Sequence, residues 1–199
     1  MSKTEKSSPI DVSQLSSEQL QKELEREKYK GNYIGAIKGT IYTLVTVAAV
    51  AVLIAVLFLP VLRIFGASMT PTLNEGDIVV SVKNSAFETG DIVAFYYNNK
   101  ILVKRVIAGP GEIVDIDTDG TVYVNGVALE EPYLDRKALG DCDIRLPYQV
   151  PDGRFFVMGD HRDVSVDSRN TAVGPIAEEQ IVGKIIFQVW PLQEFGRIR

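Results

Sequence analysis

Ser68 stands in the segment Gly66-Ala67-Ser68-Met69-Thr70-Pro71-Thr72-Leu73. A serine in a glycine-containing turn can act as a nucleophile when a nearby base removes its proton. Ser-Met-x-Pro by itself is a weak signal: from average composition it arises by chance in about one chain per hundred of this length. Most loop serines are only turn residues, so the reading needs a base. Lys104, in Leu102-Val103-Lys104-Arg105-Val106-Ile107, is the candidate. In a strand, alternate side chains share a face, which puts Lys104 with Leu102 and Val106, and Arg105 with Val103 and Ile107. A lysine on an edge strand usually points to water. One held among aliphatic neighbours has its ammonium disfavoured and its pKa lowered, and the neutral amine can then take a serine proton.

The third polar group is Gly159-Asp160-His161-Arg162-Asp163-Val164-Ser165-Val166-Asp167-Ser168-Arg169, directly after the apolar run Phe155-Phe156-Val157. Asp167 and Arg169 can pair. Ser165 can hydrogen-bond a neighbouring base and hold its orientation. His161 is the one histidine in the chain. It invites a Ser–His reading, but Lys104 already supplies a base, and His161 is read as a loop or structural residue.

These residues need a frame. From Ile64 onward the sequence reads as short strands: 77–82, 91–97, 101–107, 112–116, 121–124, 154–158 and 181–190, rich in Val, Ile, Phe and Tyr. Gly76-Asp77, Gly90-Asp91, Gly109-Pro110-Gly111, Asn125-Gly126 and Pro151-Asp152-Gly153 punctuate them. The expected fold is mostly β, an outer domain over residues 63–199 with a polar excursion across its surface from Leu129 to Pro147. Ahead of it, Ile41–Leu62 is an uncharged apolar run. As a helix it would extend roughly 33 Å, enough for a bilayer core. Lys22, Arg26, Lys28, Lys30 and Lys38 precede it, whereas Arg63 stands alone until Lys83. That asymmetry puts the N-terminus in the cytoplasm and the β domain outside. Residues 1–40 read as a solvated polar tail with fraying helicity.

Composition limits the chemistry. Lys and Arg total 21 against 26 Asp and Glu, a net charge of −5, which gives no electrostatic case for nucleic acid. With one cysteine, Cys142, and one histidine, neither an internal disulfide nor a cysteine-ligated zinc site is available. Cys142 reads as a partly buried small residue. No metal or organic cofactor is expected.

The three segments, in this order after an apolar span, resemble the bacterial type I signal peptidases over most of Phe65–Trp190. The resemblance implies that Ser68 is the nucleophile, that Lys104 is the general base, and that Ser165 positions Lys104. It implies a structural Asp167–Arg169 ion pair beside the site and an apolar surface near the membrane. It also implies a single-pass plasma-membrane enzyme whose partners are preprotein signal peptides with small residues first and third before the cut, working near the secretion machinery. Two positions depart from the family pattern. His161 stands where asparagine is usual, and Gly66 stands where some members supply a side-chain hydroxyl to the oxyanion, which leaves the Ser68 main-chain N–H for that role. Ser68 and Lys104 argue against a non-catalytic relative, and the span and tail against a soluble self-cleaving repressor. A plain anchored β binding module is the reading that covalent labelling of Ser68 would exclude.

Overall fold

The computed structural model describes residues 17–83 and 86–198. The chain divides into two compact units, Met1–Leu53 and Ile54–Arg199. A single helix, α1 (Ser17–Phe58), begins in the first and ends in the second. At about 1.5 Å per residue it is roughly 63 Å long, twice a bilayer core. Among the described residues it is the one helix long and apolar enough to cross a membrane, and its side chains from 41 to 58 are exposed.

Both ends of this element differ from the sequence reading. The segment expected to be a fraying tail is helical from Ser17 onward, with an exposed Lys30–Glu27 pair at 3.1 Å; residues 1–16 of that tail lie outside the described residues. The span expected to reach Leu62 ends as a helix at Phe58. Pro60 explains the stop, because it has no N–H to continue the ladder and its ring drives Leu59 out of the helical region. Val61 and Leu62 instead belong to strand β1 (Val61–Arg63), paired antiparallel with β2 (Ile78–Val82). The Pro60 carbonyl accepts from the Ser81 N–H at 2.9 Å, so the strand is bonded from its first turn onward.

The remaining strands are β3 (Ile92–Tyr97), β4 (Lys100–Ala108), β5 (Ile113–Ile116), β6 (Val122–Val124), β7 (Val127–Ala128), β8 (Tyr148–Gln149), β9 (Arg154–Met158), β10 (Ile176–Ala177), β11 (Ile181–Trp190) and β12 (Gly196–Arg197). The larger sheet runs β1-β2-β11-β3-β4-β9-β10, with β12 on β11; the smaller runs β7-β6-β5-β8. The fold is mostly β, as expected. Strand β3 shows why its sequence is continuously apolar rather than alternating. Ile92 and Ala94 pack into one core with Met69, Leu73 and Val79, while Val93 and Phe95 pack into another with Val106, Phe155 and Val157. Both faces are buried, so both must be apolar. A third core joins the small sheet (Val114, Ile116, Val122) to Ile107, Phe156 and Met158.

The excursion Leu129–Pro147 is more than a surface crossing. Leu129, Leu139, Ile144 and Leu146 pack against that third core. The segment is tied to the 159–169 loop as well: the buried Glu131 side chain pairs with Arg162, and the Leu139 carbonyl accepts from Arg169, while most of its other polar side chains stay exposed.

Candidate active site

Strand pairing sets the candidate base. Lys104 lies directly opposite Val93 in the β3–β4 register, and Leu102 and Val106, two residues either side, pack into the same core as Val93. Lys104 is 3% exposed. Burial is the leading influence on its amine and lowers the pKa from 10.5 to about 8; Asp167 and Asp160 pull it back up, and Arg169 pushes it further down. Its Nζ is 2.6 Å from Ser68 Oγ.

The turn carrying Ser68 follows β1. Gly66 adopts φ +79°, a conformation other residues resist, and that swings the chain into the turn. Met69 and Leu73 are buried below it. Thr70 closes it, its N–H and hydroxyl both donating to the Ala67 carbonyl at 3.2 and 2.9 Å. Among the described residues the Ser68 main-chain N–H donates no hydrogen bond, whereas its carbonyl accepts from the His161 N–H at 3.1 Å.

The 159–169 loop leaves β9 and returns to it, since Ser168 both donates its N–H to the Val157 carbonyl (3.1 Å) and accepts from the Val157 N–H through its hydroxyl (2.9 Å). Inside it, Arg169 grips Asp167 with Nε and Nη2, each at 2.8 Å, and both side chains are fully buried. Asp167 also accepts from the Gly159 N–H at 2.9 Å. Arg169 donates onward to the Leu139 carbonyl at 2.6 Å.

Ser165 differs from its expected bonding. Its hydroxyl is buried and has no hydrogen-bond partner among the described residues; Lys104 Nζ bonds Ser68 instead. The main chain explains its placement. The Ser165 N–H donates to the His161 carbonyl at 3.1 Å, and its carbonyl accepts from Arg169 at 3.3 Å. Its side chain is packed over Gly159, where any Cβ would collide with both Ser165 and the Ser68 carbonyl. Gly159 therefore lets the loop and the serine turn meet. Among the described residues His161 makes no hydrogen bond to Ser68 Oγ; its ring Nδ1 lies 3.0 Å from Thr70 Oγ1.

Several contributors escape sequence reasoning. Arg105, on the opposite face from Lys104, is 1% exposed and forks onto Asp160 at 2.9 and 2.7 Å. It also donates to the Gly90 carbonyl at 2.8 Å and lies 3.8 Å over the Tyr133 ring. Thr72 donates to Asp160 at 2.5 Å. Arg162 pairs with Glu131, both side chains buried. The partners are far apart in the chain and carry no local signature; only the presence of Asp160 in the polar loop hinted at a role.

A groove of 790 Å³ leads to Ser68. One wall is Val61–Gly66, the other Asn99–Val103, with Met69 at the serine end. Among the described residues β1 pairs only with β2, and β9 joins β4 only from Arg105 onward, so each wall presents a strand edge without a described neighbouring strand.

Residues 37–190 match the family model described as "Signal peptidase, peptidase S26". The chain belongs to the signal peptidase S26 family. It is 42% identical over 151 residues to signal peptidase IB of Staphylococcus aureus (strain COL), covering 65% of this chain and 77% of that protein. It is 36% identical over 168 residues to signal peptidase I of Bacillus licheniformis, covering 74% and 89% respectively. A crystal structure of a signal peptidase I from Enterococcus faecalis V583 aligns with TM-score 0.42 and 31% identity over 50% of this chain and 97% of that one. The chain is thus a peptide-bond hydrolase of the signal peptidase class, acting on preproteins that carry signal peptides, and its single N-terminal apolar helix fits a membrane-anchored enzyme.

Proposed function

We propose that the enzyme removes signal peptides from secreted preproteins by a Ser68–Lys104 mechanism, anchored in the plasma membrane with its N-terminus cytoplasmic and its β domain outside. The observation that carries the reading is a desolvated amine 2.6 Å from a serine hydroxyl at the end of a groove. Neutral Lys104 takes the Ser68 proton as Oγ attacks the scissile carbonyl. The ammonium so formed gives that proton to the leaving nitrogen, and the C–N bond breaks to leave an acyl-enzyme. Lys104, neutral again, takes a proton from water; the hydroxide oxygen bonds the acyl carbon and Ser68 leaves with the proton. The Ser68 N–H is available to the oxyanion, since Gly66 has no hydroxyl to offer. Ser165 supports Lys104: its buried hydroxyl has no hydrogen-bond partner among the described residues and so is available to the ammonium. Asp167 and Arg169 hold the loop that carries it.

The signal peptide lies extended in the groove with its main chain paired to the free edges of segments 61–66 and 99–103, alternate side chains entering shallow apolar pockets. Small pockets exclude large residues by sterics. The basic residues before Ile41 set the orientation. Proximity to the secretion machinery follows from the family alone. The direct test is full-length enzyme in detergent with a preprotein, the cut site mapped by mass spectrometry. Wild type cuts after a small residue, and Ser68→Ala, still folded, does not cut. Equal turnover by Ser68→Ala would refute the reading.

A further inference from the structure

The loop residue that reaches the nucleophile turn most extensively is His161. Its main-chain N–H donates to the Ser68 carbonyl at 3.1 Å. Its ring Nδ1 lies 3.0 Å from Thr70 Oγ1 and 3.3 Å from the Ala67 carbonyl. Thr70 has one hydroxyl hydrogen, and at 2.9 Å the Ala67 carbonyl receives it. Nδ1 also faces the Ala67 carbonyl, which can only accept, so the tautomer with the hydrogen on Nδ1 is the one that satisfies both contacts, with Thr70 Oγ1 accepting from it. The result is a chain of bonds, imidazole N–H to Thr70 hydroxyl to Ala67 carbonyl, closing around Ser68. We propose that His161 is a positioning residue: through its Nδ1–H and Thr70 it fixes the turn on which Ser68 sits, and so fixes the distance from Ser68 Oγ to Lys104.

This inference rests on the assignment of Ser68 as nucleophile and Lys104 as base. It differs from a Ser–His mechanism, because the imidazole bonds the turn and not Oγ. It also makes a stereochemical demand. The bonding atom is attached directly to Cγ, as Nδ2 is in asparagine, whereas the amide nitrogen of glutamine lies one bond further out. Asparagine can therefore replace the contact and glutamine cannot. Misplacement of a reacting atom by about 1 Å can cost on the order of a hundredfold in rate, so a loosened turn should be visible in kcat.

The test measures kcat and KM for preprotein cleavage by the full-length enzyme in detergent, with thermal midpoints recorded for every variant. His161→Ala and His161→Gln are expected to lower kcat about tenfold with KM within about twofold of wild type, and His161→Asn to stay within about threefold of wild-type kcat. Combining His161→Ala with Thr70→Val should cost no more than the larger single loss, since both remove one chain of bonds. If His161→Ala does not fold, the Asn and Gln variants decide. The proposal is overturned if His161→Gln works as well as His161→Asn, or if the losses of the double variant add. An inactive Ser68→Ala beside a fully active His161→Gln removes only the role of His161; an active Ser68→Ala removes the nucleophile assignment on which it rests.

Discussion

Lys104 is held against its own preference. In an unfolded chain its amine titrates at the ordinary lysine value of 10.5, and in the fold at about 8, chiefly because burial disfavours the ammonium. The folded state therefore binds fewer protons between those two pH values. The destabilisation is fully present below pH 8 and is relieved as pH rises from 8 towards 10.5. What the fold gains is a neutral amine: at pH 7 roughly one in ten is unprotonated, against about one in three thousand for an unshifted lysine. Gly66 shows a second residue-scale constraint. Its φ of +79° strains any L-side chain, although a Cβ there would meet open space. Left-handed geometry costs about 1–2 kcal/mol for residues other than glycine. Gly66→Ser and Gly66→Ala should therefore both lower kcat/KM, by about tenfold, despite the hydroxyl that serine adds near the oxyanion. Steady-state kinetics on the pair checks this; a serine variant clearly faster than both the alanine variant and wild type would mean that the hydroxyl outweighs the strain. Ser68 and Lys104 were each a weak signal alone; the three segments together, through the family resemblance, singled them out, and the fold brings their side chains to 2.6 Å. The bonding of Ser165 was not legible, because it depends on which loop atoms pack over Gly159.

At the scale of elements, the long strands were legible from apolar runs between turn residues; 154–158 and 181–190 match their observed bounds. β1 was hidden because Val61 and Leu62 continue the apolar run of the helix, and only Pro60 separates the two. Two-residue strands such as β7, β8, β10 and β12 are too short to show alternation. The excursion between β7 and β8 was the larger surprise. Its polar residues looked solvated, yet Glu131 is the buried partner of Arg162, Tyr133 stacks on Arg105, and Leu139 receives Arg169. Ion pairs between residues far apart in the chain leave no periodic trace. Removing one partner of a buried pair strands the other charge, at about 3–5 kcal/mol. Glu131→Gln should accordingly lower the thermal unfolding midpoint by about 10 °C. An unchanged midpoint in calorimetry would mean that the excursion does not brace the 159–169 loop.

At the scale of the whole chain, the proposed anchoring would give the apolar helix and the grooved β domain one purpose. Signal peptides also emerge from a membrane, so a shared membrane raises the effective concentration of enzyme at the scissile bond. The helix end at Phe58 and the bonded strand at Val61 show where a truncation can fall: a chain starting at Leu59 keeps β1, whereas one starting at Arg63 loses most of it. The Leu59 form should cleave a soluble peptide at the full-length rate and a vesicle-embedded preprotein at least about tenfold more slowly; equal rates on the embedded preprotein would remove the anchor from the account. The central claim is that Lys104 acts as a neutral base on Ser68. Its most direct test is kcat/KM for preprotein cleavage between pH 6 and 10, for wild type and Lys104→Arg. The account predicts a wild-type rate that climbs with pH to a plateau with midpoint near 8, and no cleavage by Lys104→Arg at any pH, because guanidinium stays protonated throughout. An active Lys104→Arg enzyme, or a wild-type profile flat through pH 8, would contradict it.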